Sequence, residues 1–196
     1  MHASKFLGKA LAEGNFYCLL ALRDGGTSWD NRKQLFFDTR DKLVDSAKSF
    51  DDKGWDTFFA LGSFDDEGSR KAEHVGRVKA FFLDLDIGDN DKQVSLPTPT
   101  IVDSGYGVHV YWLLSESVLK EEWLLVANRL KKLLVEKNML SDPAVTSDSA
   151  RVLRIPTTHN HKGDTPKQVK VIHEGKLVDF DHFAGLLGVD TTPTPT

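Results

Sequence analysis

Cysteine and long apolar runs are scarce in this 196-residue chain, and each shortage excludes a class of protein. With Cys18 as its only cysteine, the chain cannot form an internal disulfide or a multi-cysteine zinc site. A reducing compartment is therefore expected, and we predict a cytoplasmic protein. No apolar run approaches the roughly 20 residues that cross a bilayer, so we expect no membrane role. The first residues also lack the pattern of a signal peptide.

Excess positive charge is also missing. The net charge is -4 and the pI is about 6.0, so the chain is not a basic protein that coats nucleic acid. Any nucleic acid would have to be held by a local basic cluster, such as Arg70, Lys71, Arg77 and Lys79. Such a cluster either grips phosphates or forms an ordinary solvated face.

Apolar residues are plentiful enough for a substantial core, at 40% of the chain. We predict one domain over residues 1–188, followed by a Thr/Pro-rich tail, 189–196, with the composition of a linker to something longer. Apolar periodicity predicts an α+β fold with mixed or antiparallel sheets. The predicted helices are 2–13, 38–50, 117–138 and 180–187, and the predicted strands are 16–22, 57–64, 79–87, 100–102, 108–114, 151–155 and 168–173.

Two aspartates lie in the most apolar predicted strand. Asp84 and Asp86 alternate with Leu83 and Leu85, so both carboxylates point to one face while the leucines point to the core. Adjacent carboxylates repel each other, and divalent cations relieve that repulsion. Two Mg²⁺ or Mn²⁺ ions held in this way suit phosphoryl transfer. The alternative is an edge strand with two solvated aspartates.

A turn with two glycines leads into a later strand that contains one histidine. Gly105 and Gly107 permit close approach of the backbone to a phosphate, and Ser104 and His109 can donate hydrogen bonds to it. Alternatively, His109 is a satisfied core histidine.

A third group of polar residues lies near the end of the chain. Asp148 precedes a short strand carrying Arg151 and Arg154, which offers a further metal ligand and two phosphate clamps. A regular strand would place the two arginines on opposite faces. Asp148 is otherwise a turn or cap residue, and Asp142 is a competing carboxylate before a proline.

Taken in order, these motifs resemble the archaeo-eukaryotic primase superfamily, and most of all the primase-polymerases of phages and plasmids. The resemblance rests on the apolar Asp-x-Asp strand, Ser-Gly-x-Gly-x-His, and Asp followed by Arg-x-x-Arg-x-Pro and Asn-x-Lys. It covers about residues 58–162. Relatives often have Pro-Gly-Thr where this chain has Pro156-Thr157-Thr158.

The resemblance implies an RRM-like sheet unit packed on a second small α/β unit, with the active site in the cleft between them. It implies a template-dependent nucleotidyltransferase, a DNA primase and/or DNA polymerase, that works with two Mg²⁺ or Mn²⁺ ions. Its partners would be single-stranded DNA template and primer, dNTPs and/or NTPs, and a C-terminal helicase or priming domain in a longer protein. A phage or plasmid enzyme would work in the host cytoplasm. The implied metal ligands are Asp84, Asp86 and Asp148, and the implied triphosphate contacts are Ser104, His109, Arg154 and Lys162, with Arg151 nearby.

Two other classes of protein remain open from the residues. A metal-dependent nuclease could use the same three acids, although it would need little triphosphate clamp. A non-catalytic RRM-like module could bind single strands, although it would present aromatic side chains in place of the acids.

Overall fold

The computed structural model describes residues 1–86, 96–137 and 145–191, without the side chains of Asp86 and Val145. The chain has the predicted α+β fold. Its helices are α1 (Ala3–Ala10), α2 (Arg40–Asp51), α3 (Lys120–Glu136) and α4 (Phe180–Leu186). Its strands are β1 (Tyr17–Leu22), β2 (Arg32–Phe37), β3 (Asp56–Ala60), β4 (Ser63–Phe64), β5 (Val75–Asp86), β6 (Thr100–Asp103), β7 (Gly107–Leu119), β8 (Val152–Arg154), β9 (His159–Asn160), β10 (Lys167–Gln168) and β11 (Lys170–His173).

Most strands belong to two antiparallel sheets. The larger has the order β11-β6-β7-β5-β4, and the smaller has the order β2-β1-β3-β8. Strands β9 and β10 form a separate pair. The long pairing of β5 with β7 places Asp84 directly opposite His109.

Aromatic side chains join the layers of the core. Phe81 of β5 stacks on Trp123 of α3 and on Phe183 of α4, with ring centroids 5.8 and 4.8 Å away, so these helices cover one face of the larger sheet. Phe6 of α1 contacts Phe59 of the smaller sheet. The other contact of the Phe6 ring is with Tyr111 of the larger sheet. Helix α1 therefore packs between the two sheets, on the face opposite α3 and α4.

The predicted strand 57–64 is wrong in one respect, because it is two strands in different sheets. A side chain at Gly62 would meet Val75 Cγ1 at 2.4 Å and the backbone oxygen of Ser149 at 2.9 Å, so only glycine fits where the chain passes between sheets. Strand β2 is missing from the prediction because its exposed start, Arg32–Gln34, gives no apolar alternation. Residues 11–13 of the first predicted helix are not helical either.

The predicted strand 168–173 is likewise two strands in different sheets, β10 and β11. The remaining predicted elements are confirmed with shifts of a few residues at their ends. Leu83 and Leu85 are buried, as predicted for the core face of β5. Asp142 and residues 88–95 lie outside the described residues. None of the described helices combines the length and apolar character that a membrane crossing requires.

Candidate active site

A cavity of about 390 Å³ opens where the two sheets meet. The larger sheet contributes Asp84, His109 and the turn that precedes β7, and the smaller sheet contributes β3 and β8. The polar and charged side chains that line the cavity include six of the predicted residues and one that was not predicted: Asp84, Ser104, His109, Arg151, Arg154, Lys162 and Asn160. Gly107 also lines it, whereas Gly105 lies beside Asn160.

Asp84 and His109 form the floor of the cavity. His109 Nε2 lies 3.6 Å from Asp84 Oδ1, and the histidine is buried while the carboxylate is about one third exposed. Tyr111 Oη lies 3.4 Å from His109 Nδ1 on the other side of the ring. The ring is therefore held between a tyrosine hydroxyl and a carboxylate.

Burial determines the charge of His109. Burial lowers the pKa of His109 to about 4. The negative charge of Asp84 raises this pKa, but by less than burial lowers it, and the positive charges of Arg154 and Arg151 lower it further. His109 is consequently neutral at pH 7, and its contact with Asp84 is not an ion pair there. A neutral ring can donate one hydrogen bond to a phosphate oxygen without adding positive charge.

The turn before β7 is built around glycine. Gly105 has a φ of +96°, a conformation that other residues rarely adopt, and its backbone N–H donates to Asp103 Oδ1 at 2.8 Å. The Ser104 N–H donates to the Gly107 carbonyl at 3.0 Å. This tight turn places Ser104 and Gly107 at the cavity, and its contact with a phosphate stays a prediction.

The two arginines line the same cavity, which corrects the expectation that they face opposite sides. The strand β8 begins only at Val152, so Arg151 precedes it and is free of the alternation. Arg151 Nη2 lies 3.3 Å from Asp84 Oδ2 across the gap between the sheets. Its Nε is buried without a partner among the described residues.

Arg154 is held by a residue that the sequence did not single out. Its Nη1 donates to Asp56 Oδ1 at 2.5 Å, and its guanidinium lies over the ring of Phe58, 4.7 Å from the centroid. The Asp56 carboxylate also accepts the backbone N–H of His161 at 2.9 Å. Asp56 therefore fixes both Arg154 and the segment that leads to Lys162.

That segment, 159–162, ties the two sheets together. Asp51 of α2 accepts hydrogen bonds from His159 Nδ1 at 2.9 Å and from His161 Nε2 at 2.8 Å. On the other side, buried Asn160 donates from Nδ2 to the Ser104 carbonyl at 2.7 Å. Asn160 Oδ1 accepts the Lys162 N–H at 3.1 Å. The paired histidines are thus structural, and Asn160 sets the position of both Ser104 and Lys162.

Asp148 lies in the turn before β8 and is not among the residues that line the cavity. Its Oδ1 accepts the N–H of Ala150 at 2.9 Å, and its carbonyl accepts the N–H of Arg151 at 3.1 Å. Within residues 1–86, 96–137 and 145–191, and without the Asp86 side chain, no three acidic, histidine or cysteine side chains converge as metal ligands. The complete set of ligands therefore stays a prediction.

The basic cluster does not line the cavity. Arg70 donates to the Ala150 carbonyl at 2.7 Å and so supports the turn that carries Arg151. Arg77 donates to Ser117 Oγ and to its carbonyl at 3.1 and 2.7 Å, and Lys71 Nζ lies 3.7 Å from Glu73. Lys79 is half-buried in β5. Contacts of this cluster with DNA stay a prediction.

Sequence reasoning missed Asp56, Asn160 and Phe58. Asn160 was visible in the Asn-x-Lys spacing, but nothing in that spacing shows its bond to Ser104. Asp56 and Phe58 stand at the start of an ordinary apolar strand, and only the pairing of Phe58 with Arg154 across β3 and β8 reveals their role.

The two sheets and the cavity where they meet form a fold that is similar to those of solved primase structures, as the motifs implied. The chain is similar to the AEP domain of the primase-polymerase of cyanophage S-2L, with a TM-score of 0.65 and 19% identity over 88% of this chain and 89% of that one.

The chain is also similar to the primase RepB′, with a TM-score of 0.60 and 16% identity over 95% of this chain and 61% of that one. For the catalytic domain of RepB′ in complex with initiator DNA the TM-score is 0.58, at 14% identity over 96% and 93% of the two chains. At these identities the likeness concerns the fold. No protein-family model and no curated protein matches the sequence.

Proposed function

We propose that this chain is a template-dependent nucleotidyltransferase, a DNA primase and/or DNA polymerase of the phage or plasmid type. It would join the α-phosphate of an incoming nucleotide to a 3′-hydroxyl and release pyrophosphate. The observation that supports this most strongly is the composition of the cavity, in which one carboxylate stands against two arginines, a lysine and a neutral histidine.

The cationic side of the cavity suits a triphosphate. Arginine binds phosphate through a planar fork, and Asp56 holds the Arg154 fork in one orientation. Arg151 has a buried Nε without a partner in the described part of the chain, and a phosphate oxygen would satisfy it. We infer that Arg151, Arg154 and Lys162 bind the triphosphate, while Ser104 and His109 donate single hydrogen bonds to its oxygens.

The acids suit divalent metal ions. We propose that Asp84, Asp86 and Asp148 hold two Mg²⁺ or Mn²⁺ ions, which prefer carboxylate oxygens. The contacts of Asp84 at 3.3 and 3.6 Å are long, so its carboxylate can turn toward a cation with little loss. Bound ions would lower the pKa of the primer hydroxyl and offset the charge of the leaving group.

A primer-extension assay tests this function. A labelled primer–template is incubated with Mg²⁺ or Mn²⁺, with dNTPs and NTPs in separate reactions. We expect elongation that requires metal, and we expect Asp84→Asn to abolish it. Asp45→Asn is the matched control, since Asp45 is an exposed acid on α2 and lies outside the cavity.

The same assay separates the other two classes of protein. Shortening of the primer in the absence of nucleotides, lost in Asp84→Asn, would identify a nuclease instead. Binding of the template with neither elongation nor shortening would identify a binding module. Full elongation by purified Asp84→Asn would refute the assignment of the site.

A further inference from the structure

One tryptophan lies almost entirely in solvent. Trp29 is 88% exposed, whereas Trp55, Trp112 and Trp123 are buried. Among the described residues the Trp29 ring has no aromatic or cationic partner. A large ring with both faces in water is available to stack on a flat ligand, and its burial there would be favourable.

The loop that carries Trp29 has a defined shape. Asp24, Gly25 and Gly26 follow one another with positive φ angles of 49°, 74° and 64°. The Arg23 N–H donates to the Asn31 carbonyl at 2.9 Å and closes the loop between β1 and β2. Trp29 is therefore presented by a short closed loop.

This loop borders the candidate active site. Asp24 and Gly25 line a second cavity, of about 550 Å³, which Arg154 and Lys162 also line. Both of those side chains, with Leu22 and Phe58, also line the active-site cavity. Trp29 is four residues beyond Gly25, so the two Cα atoms are at most about 14 Å apart.

The chemistry around Trp29 favours a polyanion with flat bases. Its neighbours Thr27, Ser28 and Asn31 are polar and Asp30 is acidic, so the loop offers no apolar patch to a protein partner. Arg32 and Lys33 follow on the exposed start of β2. An exposed aromatic ring with exposed cations a few residues further along the chain offers the two groups that bind single strands, through base stacking and phosphate contacts.

We propose that Trp29 is a stacking platform for single-stranded template DNA as it approaches the active-site cavity, with Arg32 and Lys33 contacting its phosphates. The inference deepens the proposed function and rests on it. It assigns template binding to the loop between β1 and β2, and not to the basic cluster of Arg70 and Arg77.

Tryptophan fluorescence tests the proposal directly, because Trp29 is the only one of the four tryptophans with substantial exposure. The 196-residue chain is titrated with oligo-thymidylate, without metal or nucleotide, while emission and iodide quenching are followed. Affinity is measured in parallel by the anisotropy of a labelled oligonucleotide. We expect DNA to quench the emission and to protect Trp29 from iodide.

Three variants and one altered ligand separate stacking from charge. Trp29→Ala should weaken binding about tenfold, and Trp29→Phe should retain most of the affinity while losing the fluorescence change. Leu125→Ala, an exposed apolar side chain on α3, should bind like the wild type. The wild type should bind an abasic oligonucleotide with an affinity no higher than the affinity of Trp29→Ala for oligo-thymidylate.

Several results would overturn the proposal. One is a DNA complex that anisotropy detects but that leaves the tryptophan emission unchanged. Another is equal affinity of Trp29→Ala and the wild type for DNA, or equal affinity of the wild type for abasic and normal strands. The last is the absence of any DNA binding. Tighter binding of oligo-uridylate would overturn the assignment to DNA. Quenching by DNA in a protein that fails to extend primers would support the stacking platform and refute the polymerase. The failure of this proposal and the failure of the proposed function therefore give different results.

Discussion

Thr157 adopts a backbone conformation that suits glycine, and replacing it should stabilise the protein. The turn 155–158 is closed by a bond from the Thr158 N–H to the Ile155 carbonyl at 3.4 Å. Pro156 occupies the second position and Thr157 the third, with a φ of +73°. A positive φ at the third position after proline marks a type II turn, which prefers glycine there. A β-branched residue is strained in that position.

The gain can be estimated from two opposing terms. A left-handed conformation costs about 1–2 kcal/mol for a residue other than glycine. Glycine removes that strain but loses about 0.5–1 kcal/mol through the greater freedom of the unfolded chain. The Thr157 N–H bond to the Val169 carbonyl, 2.7 Å long, is unaffected by the side chain. Thr157→Gly should therefore stabilise the fold by about 0.5–1 kcal/mol, or about 1–4 °C in Tm for a chain of this length.

Thermal and urea unfolding measure this effect, and two variants isolate its cause. Thr27→Gly replaces an exposed threonine with an ordinary φ of -73°, so only the entropy loss of about 0.5–1 kcal/mol should appear. Gly54→Ala introduces strain at φ +78° in open space and should destabilise the protein by about 1 kcal/mol. A Thr157→Gly protein destabilised as much as Thr27→Gly would refute the reasoning.

Three further predictions concern the supports of the site and the core. Asp56→Asn should raise the KM for nucleotide severalfold with a smaller change in kcat, because Arg154 loses its charged partner, and steady-state kinetics measure both. Gly62→Ala should destabilise the fold by about 1–3 kcal/mol in urea unfolding, because its Cβ would strike the Ser149 backbone at 2.9 Å. Burial raises the pKa of Cys18 from 9.0 to about 12, so native Cys18 should resist alkylation at pH 8 until urea is added. The thiol's contribution to stability is present below pH 9 and is lost as the pH rises toward 12, and Cys18→Ala should flatten that decline.

The sequence predicted most elements of the fold because their apolar patterns are strong. The alternation of Leu83 and Leu85 with acids in β5 is an example, because both leucines are buried as that pattern predicted. The break at Gly62 was not predictable, because it depends on Val75 and the Ser149 backbone, which come close only after folding. Thr157 is an intermediate case. The sequence shows Pro-Thr-Thr where relatives often have Pro-Gly-Thr, but it does not show the positive φ of Thr157.

The residues that carry chemistry were easier to predict than those that position them. The side chains of Asp84, His109 and Arg154 suggest a role by their own charge or hydrogen-bonding groups, before any neighbour is known. Asp56 gains its role only from Arg154, 98 positions along the chain, and no local pattern connects the two.

The position of the site at the junction of two sheets has a mechanistic consequence. Asp84 and His109 belong to the larger sheet, whereas Arg154 belongs to β8 of the smaller sheet and Arg151 directly precedes that strand. Any displacement of one sheet relative to the other would separate the acid from the arginines. The bond from Asn160 to Ser104 opposes that displacement, because it links the segment after β8 to the turn before β7. Buried bonds of this kind are the ones whose removal leaves polar groups unsatisfied, so the segment 159–162 holds the two halves of the site in register.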